Sequence, residues 1–428
     1  MNIRKSLLAL FVSLLCLGAY AQSSLEEITA NPEKAGGVYL AYPTEFAPQS
    51  KAPKGYKPFY ISHYGRHGSR YLISNEDYTR ALYLFRDAHE SHALTALGED
   101  VYKRLEQVFA EADGHGGDLS PLGVRQHRGI AERMYNNFPE VFKNGANLSA
   151  RSTVVLRCTM SMVAFCDRLK ELNPTLHIAY EASPKYMSYL NYQTPEANKF
   201  TDSRNGPWVE EFRKFRESMI HPDRLIATLF SDNDFVLKKV NPASLMNDLY
   251  QITIGMQNIE TKVSFFDLWQ PQELFDLWQI GNFSFYVGTA NHADSHGIVA
   301  ANAKHLLQNI VESADKAIAT GDEAATLRFG HDGNVINLCA LMQIENFGVA
   351  ISDPRELYKV WANYKVTPMA ANVQLIFFRN DKNPDDILVK VLHCEKEAHI
   401  PVATDMFPYY KWSDFRSFYQ NKINSIVR

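Results

Sequence analysis

Cysteine is scarce: five in 428 residues, with no CxxC pair among them. That excludes a disulfide framework and argues against a thiolate-bound zinc site. If 158–166 is helical, Cys158 and Cys166 lie about 12 Å apart along the axis and cannot bridge each other. Cys158, Cys166, Cys339 and Cys394 read as free, buried thiols. Long apolar runs are also missing, except at the start. "MNIRKSLLALFVSLLCLGAYA" (1–21) has Arg4 and Lys5, an apolar run and an Ala-Tyr-Ala ending, the pattern of a cleaved secretory signal. The run is too short for a membrane span, and no later stretch is apolar enough, so a periplasmic or secreted protein without a span is expected.

An excess of positive charge is absent too. Lys+Arg number 44 against 48 Asp+Glu, a net −4 that becomes −6 without Arg4 and Lys5. This excludes a globally basic nucleic-acid binder but leaves room for a local basic pocket. Several catalytic motifs are lacking. There is no HExxH and no GxSxG, and "DGHGGD" (113–118) has the glycines of a phosphate loop without its lysine. "HADSH" brings His292, Asp294 and His296 together, yet reads as polar loop surface. No metal and no other cofactor are therefore expected.

What is present alternates between strand and helix. "KPFYISHYG" (57–65), "NLSARST" (147–153), "TLHIAYEAS" (175–183), "AANVQLIFFR" (370–379) and "DILVKVLHCE" (386–395) read as strands. "ATLRFGHDGN" (325–334) reads as a strand running into a glycine-flanked turn, with "VINLCALMQI" as the next helix. Residues 76–112, 154–172 and 297–319 are helical in pattern, and Ser120-Pro121 is a helix start with cap and N1 proline. Residues 184–296 change character, with many Tyr, Phe, Trp and Asn and several helical patches. "DLWQ" occurs there at 267–270 and 276–279 and reads as two helix ends in one aromatic cluster. The expectation is an α/β core over 22–183 and 297–428, a mixed sheet flanked by helices, interrupted by a mostly helical insertion at 184–296.

Three segments carry candidate chemistry. "GRHGSR" (65–70) places Arg66, His67 and Arg70 at the end of a strand, where open α/β sheets bind ligands. Arginine forks match phosphate oxygens, and glycines let backbone approach an anion. "RSTVVLRCTMS" (151–161) offers Arg151 and Arg157 at a strand-to-helix junction. "GHDGN" offers His331 and Asp332 at another strand end, an acid for a leaving oxygen.

Taken together these segments resemble the histidine acid phosphatases, the second branch of the histidine phosphatase superfamily. "RHGSRYL" matches the signature RHGxRxP, with Leu72 where proline is usual, and "SPLGVRQH" (120–127) is similar to LTxxGxxQH. "RCTMS" and Tyr71 look like the multiple inositol polyphosphate phosphatases. That group usually carries His-Ala-Glu where this chain has His331-Asp332, as in acid phosphatases, glucose-1-phosphatases and many phytases. The resemblance implies a phosphoglycerate-mutase-like core and a phosphomonoesterase working without a metal. His67 would be its nucleophile and Asp332 its proton donor, with Arg66, Arg70, Arg157 and His331 around the phosphate. The implied substrate is a small phosphate ester such as an inositol polyphosphate. A sugar phosphatase, a phosphotransferase and an inactive phosphate-ester binder are the alternatives. Substrate choice is expected in the insertion, with Lys185, Tyr186, Arg204 and Arg213 as candidates.

Overall fold

A computed structural model describes residues 23–426, so the signal-like segment 1–21 lies outside the described residues. Eight strands among them form one mixed sheet in the order β3-β2-β4-β1-β5-β6-β7, with β8 paired to β6. The strands are β1 (Tyr56–Arg66), β2 (Asn147–Ser152), β3 (His177–Ala182), β4 (Ala325–Gly330), β5 (Asn372–Asn380), β6 (Ile387–His393), β7 (Lys396–Glu397) and β8 (Tyr409–Lys411). β3, β2, β4 and β1 run parallel to one another, and β5 and β6 continue the sheet antiparallel. β4 is buried at all six positions, as a central parallel strand covered on both faces must be.

Alternation along β1 shows the two covers. His63 packs against Phe165 of the helix Leu156–Leu172 on one face. Ser62 points the other way, where its hydroxyl accepts from Arg328. That arginine also donates to Asn309 and Ser313 of the helix Lys304–Thr320. The period of two in the strands thus assigns each helix to a face.

The helix start read at Ser120 is present. The Ser120 hydroxyl accepts from Gly123 N at 3.3 Å and Pro121 opens the helix Pro121–Asn137. The helical stretch 76–112 is two helices, Glu76–Glu90 and Ala96–Ala112, parted where His92 takes a left-handed φ of 55°. The helix after β2 begins at Leu156 rather than at 154, with Arg157 in its first turn. After β4 there is no separate turn: Asp332 is already the first residue of the helix Asp332–Met342, and His331, at the N-cap position, makes no side-chain capping bond. The two "DLWQ" copies differ. The first lies in a 3-10 turn and the helix cap at Gln270, whereas the second sits inside the helix Pro271–Thr289. Trp269 and Trp278 nevertheless share one hydrophobic cluster.

Two such clusters occur among the described residues. One surrounds the sheet. The other joins the helices of 76–112 with residues from Leu225 to Trp278, and it takes in Tyr71 and Leu72. Segment 184–296 contributes to both, with Leu190, Phe200, Trp208, Phe215, Phe283 and Tyr286 belonging to the first. The four cysteines Cys158, Cys166, Cys339 and Cys394 are free and buried. No helix among the described residues is long and apolar enough to cross a membrane.

Candidate active site

Sheet register brings the sequence motifs together. Arg66 pairs with Gly330, and Ser152 with Phe329, at the carboxyl ends of neighbouring parallel strands. The residues just beyond, His67 on β1, His331 after β4 and Thr153 after β2, therefore emerge side by side. His67 N donates to Gly330 O at 3.0 Å, and the His67 and His331 ring centroids are 6.0 Å apart.

Arg66 is fully buried. Its Nη1 donates to the carbonyls of Val38 and Thr367, and Nη2 lies 3.0 Å from Asp332 Oδ2. Burial, outweighing the attraction of Asp332, lowers its pKa to about 10, still charged at neutral pH. Arg70 donates to Tyr71 O at 2.8 Å and to the Tyr39 hydroxyl at 3.1 Å, with its guanidinium over the Tyr39 ring. Arg157 sits beside the 113–118 loop: a Cβ added at Gly117 would lie 3.9 Å from its Nη1. The Nε donors of Arg66, Arg70 and Arg157 are buried without a hydrogen-bond partner. Buried donors are ordinarily paired, and the charges of these three arginines act on one another and on His67, so the cluster is suited to take an anion.

His67 Nδ1 lies 2.8 Å from Gly68 O. A carbonyl only accepts, so Nδ1 carries the proton and Nε2 keeps its lone pair. Burial, then the charges of Arg66, Arg70 and Arg157, hold the His67 pKa well below the usual imidazole range. The ring is neutral at physiological pH, with the Nε2 lone pair unprotonated. His331 is likewise lowered to about 4, by burial first and then by Arg157, Arg66 and Arg70. Burial raises the Asp332 carboxyl, but Arg66, Arg70 and the Gly333 N–H outweigh it, so the group is held ionised.

The backbone of the 66–70 segment is held from several sides. Gly68 passes so close to the helix Pro121–Asn137 that a Cβ would lie 2.5 Å from Gly123 O, so both positions need glycine. Gly68 N donates to Ser161 Oγ at 3.1 Å. Gln126 accepts from Ser69 N and donates to Ser69 Oγ, each at 2.8 Å. Ser69 Oγ donates on to Asn258, which donates to Tyr39 O. Gln126 and Gly123 were visible as a motif. Tyr39 and Asn258 were not, because they are distant in sequence and become partners only on folding.

The candidates in segment 184–296 are placed differently. Tyr186 is buried and donates to Glu181, and Arg151 stacks on its ring while pairing with Glu181. Arg151 is thus engaged with Glu181 and Tyr186 rather than with Arg66, Arg70 and Arg157. Lys185 is exposed with its ammonium over Tyr186. Arg204 is exposed in a turn closed by Asp202, and Arg213 is exposed and paired with Glu210 and Glu217. His292 is buried among Phe200, Phe283 and Tyr286 rather than lying on the surface. No group of three metal-ligating side chains occurs among the described residues. A groove of about 800 Å³ lined by Tyr192, Lys304, His305 and Lys422 shares no residue with the arginine cluster.

Comparisons with known proteins agree with this geometry. The family model described as histidine phosphatase superfamily (branch 2) matches residues 65–393. No curated protein sequence matches the chain. Among solved structures, the Bifidobacterium longum multiple inositol polyphosphate phosphatase in complex with inositol hexasulfate is similar over 90% of this chain and 97% of its own, at 18% identity and a TM-score of 0.71. The phytase from D. castellii is similar over 92% of this chain and 85% of its own, at 12% identity and a TM-score of 0.69. At those identities the likeness speaks to the fold, and the family rests on the model that spans most of the chain. With its motifs gathered at the ends of β1, β2 and β4, the chain belongs to the histidine phosphatase superfamily, branch 2.

Proposed function

We propose that this histidine phosphatase-type phosphatase cleaves phosphate monoesters through a phosphohistidine on His67. The observation that carries the reading is the neutral His67, with Nε2 unprotonated, beside the buried Arg66 and Arg70 and the half-buried Arg157, whose Nε donors lack partners. Nε2 attacks phosphorus in line, the N–P bond forming as the P–O bond to the leaving group breaks. Arg66, Arg70, Arg157 and His331 stabilise charge on the equatorial oxygens without a metal ion. Asp332 gives its proton to the departing alkoxide. Water then attacks phosphorus, its proton passes to Asp332, the N–P bond breaks and phosphate leaves.

Asp332 is held ionised by the arginines in the free site, so it needs a proton first. A monoanionic ester brings one, and phosphate bound among the arginines offsets the charges that depress the carboxyl. Turnover of alkyl esters, which have poor leaving groups, is therefore favoured in acid.

The substrate we put first is an inositol polyphosphate, supported by RCTMS and Tyr71 in the sequence and by the fold shared with the inositol hexasulfate complex. A sugar monophosphate is the second reading, favoured by Asp332 following His331 directly. Lys185 and Arg204, exposed in segment 184–296, are the cations we assign to a polyanion's outer phosphates. Export through residues 1–21 is part of the proposal. The test is phosphate release from phytate, glucose 1-phosphate and p-nitrophenyl phosphate. His67→Ala is expected to abolish release and acid-labile phosphoenzyme with all three; near-normal turnover overturns the mechanism. Asp332→Asn is expected to slow the alkyl esters far more than the aryl one. Phosphate transferred to an added alcohol instead of released would favour the phosphotransferase alternative.

A further inference from the structure

Thr153 has no role in the sequence motifs, yet it is fully buried at the end of β2 and its hydroxyl lies 3.2 Å from His331 Nε2. Its main-chain N–H donates to Phe329 O at 3.0 Å, so the residue is pinned to the end of β4, two positions before His331. Cys158, in the first turn of the following helix, completes the seat. Its Sγ donates to Gly330 O at 3.2 Å and lies 3.7 and 3.8 Å from the two ring nitrogens of His331. Near-equal distances to both nitrogens place the sulfur against the ring rather than on one nitrogen. Gly330 O is the same carbonyl that accepts from His67 N. The β2 junction therefore touches both halves of the site.

A neutral imidazole has one N–H, and its direction decides whether the ring can help an anion. If Nε2 carried the proton it would be spent on Thr153, and a bare Nδ1 would have no proton to offer an anion. If the Thr153 O–H donates to Nε2, the ring's only proton stays on Nδ1 and is free for a phosphate oxygen. We propose that Thr153 is a positioning residue for the phosphatase reaction: its hydroxyl donates to His331 Nε2 and fixes the Nδ1–H tautomer, with Cys158 setting the ring plane. The proposal rests on His331 acting at the phosphate, as argued above.

Thr153→Val keeps the shape and removes the donor, while Thr153→Ser keeps the donor. For p-nitrophenyl phosphate, Thr153→Val is expected to lower kcat/KM by about tenfold, the scale of one hydrogen bond. Thr153→Ser should restore most of that loss. Phosphoenzyme should still form in Thr153→Val, only more slowly; its complete absence in the unsubstituted enzyme would instead sink the phosphohistidine reading. Nitrogen-15 imidazole spectra of the unsubstituted enzyme, with His331 assigned by its own substitution, should show Nδ1–H and bare Nε2. Wild-type kinetics in Thr153→Val overturn the proposal, as does a Thr153→Ser enzyme as impaired as Thr153→Val. So does an Nε2–H tautomer in the unsubstituted protein, a result that stands even if neither variant folds.

Discussion

Arg66 and Arg213 each face a carboxylate, and they differ in nearly everything else. Arg66 is 0% exposed, its Asp332 partner 24%. Arg213 is 51% exposed, and its partners Glu210 and Glu217 are 62% and 63% exposed. The first belongs to a wall of strand ends whose backbone is fixed on both sides by neighbouring strands. The second lies on a short helix, Val209–Glu217, at the surface of the helical segment. Burial makes each unpaired donor in the wall costly until an acceptor meets it, a part the proposed mechanism gives to the phosphate. Exposed pairs are screened and interchange with solvent at little cost, so the helical surface tolerates change. The proposed chemistry depends on the wall, and the exposed surface around it does not share that constraint.

Breaking the wall should have the largest effect. Arg66→Ala strips Asp332 of its buried partner and leaves the carbonyls of Val38 and Thr367 without a donor. A loss of about a thousandfold in kcat/KM is expected, with lower thermal stability. Arg66→Lys should recover little, because one ammonium cannot reproduce a fork shared among three acceptors. Recovery to within about tenfold by lysine would show that charge alone suffices there.

The wall should also govern the response to acid. His63 and His127 are buried beneath it with both ring nitrogens unpartnered by hydrogen bonds. Burial lowers both to about 3 from 6.5, helped at His63 by the charges of His127 and Arg328. Below pH 6.5 the unfolded chain takes up protons that the folded chain refuses. Stability therefore falls as pH falls, until the folded imidazoles titrate near 3. His331, at about 4, adds to the same trend. Thermal melts should drop by about 10 °C between roughly pH 6.5 and 4.5. A flat profile would mean that water reaches these imidazoles, and the contrast between wall and shell would weaken.

The smallest effect belongs to the shell. Arg213→Ala is expected to leave KM for p-nitrophenyl phosphate and for phytate within about twofold, since its guanidinium is already shared by two glutamates. A much larger rise for phytate alone would sharpen the comparison, by showing that the helix gives up its internal pairs for a polyanion.

Local signals were sufficient wherever a motif and its secondary structure coincide. Gly65, Arg66, His67 and Arg70 could be placed at a strand end because "YISHYG" precedes them, and Ser120-Pro121 announced a helix that formed as read. Where apolar content was continuous the reading was coarser. The break at His92 was hidden inside a helical pattern, and the second "DLWQ" lies in mid-helix because its leucine and tryptophan face a core that no tetrapeptide reveals. Arg151 was offered beside Arg157, but strand alternation turns it toward Glu181 and Tyr186.

The sequence by itself determined the inventory: a basic, glycine-flanked "RHGSR", a later His-Asp pair, a third arginine and alternating strands and helices to carry them. Those follow from residue chemistry and short-range periodicity. Tertiary structure alone decided their arrangement. Parallel pairing of β1 with β4 and of β4 with β2 sets His67, His331 and Thr153 abreast, although 264 positions separate the first two. Only that register gives Arg66 its carboxylate, gives His67 its neutral ring and leaves the arginine donors without partners. Each depends on burial and long-range contact, which a linear pattern does not contain.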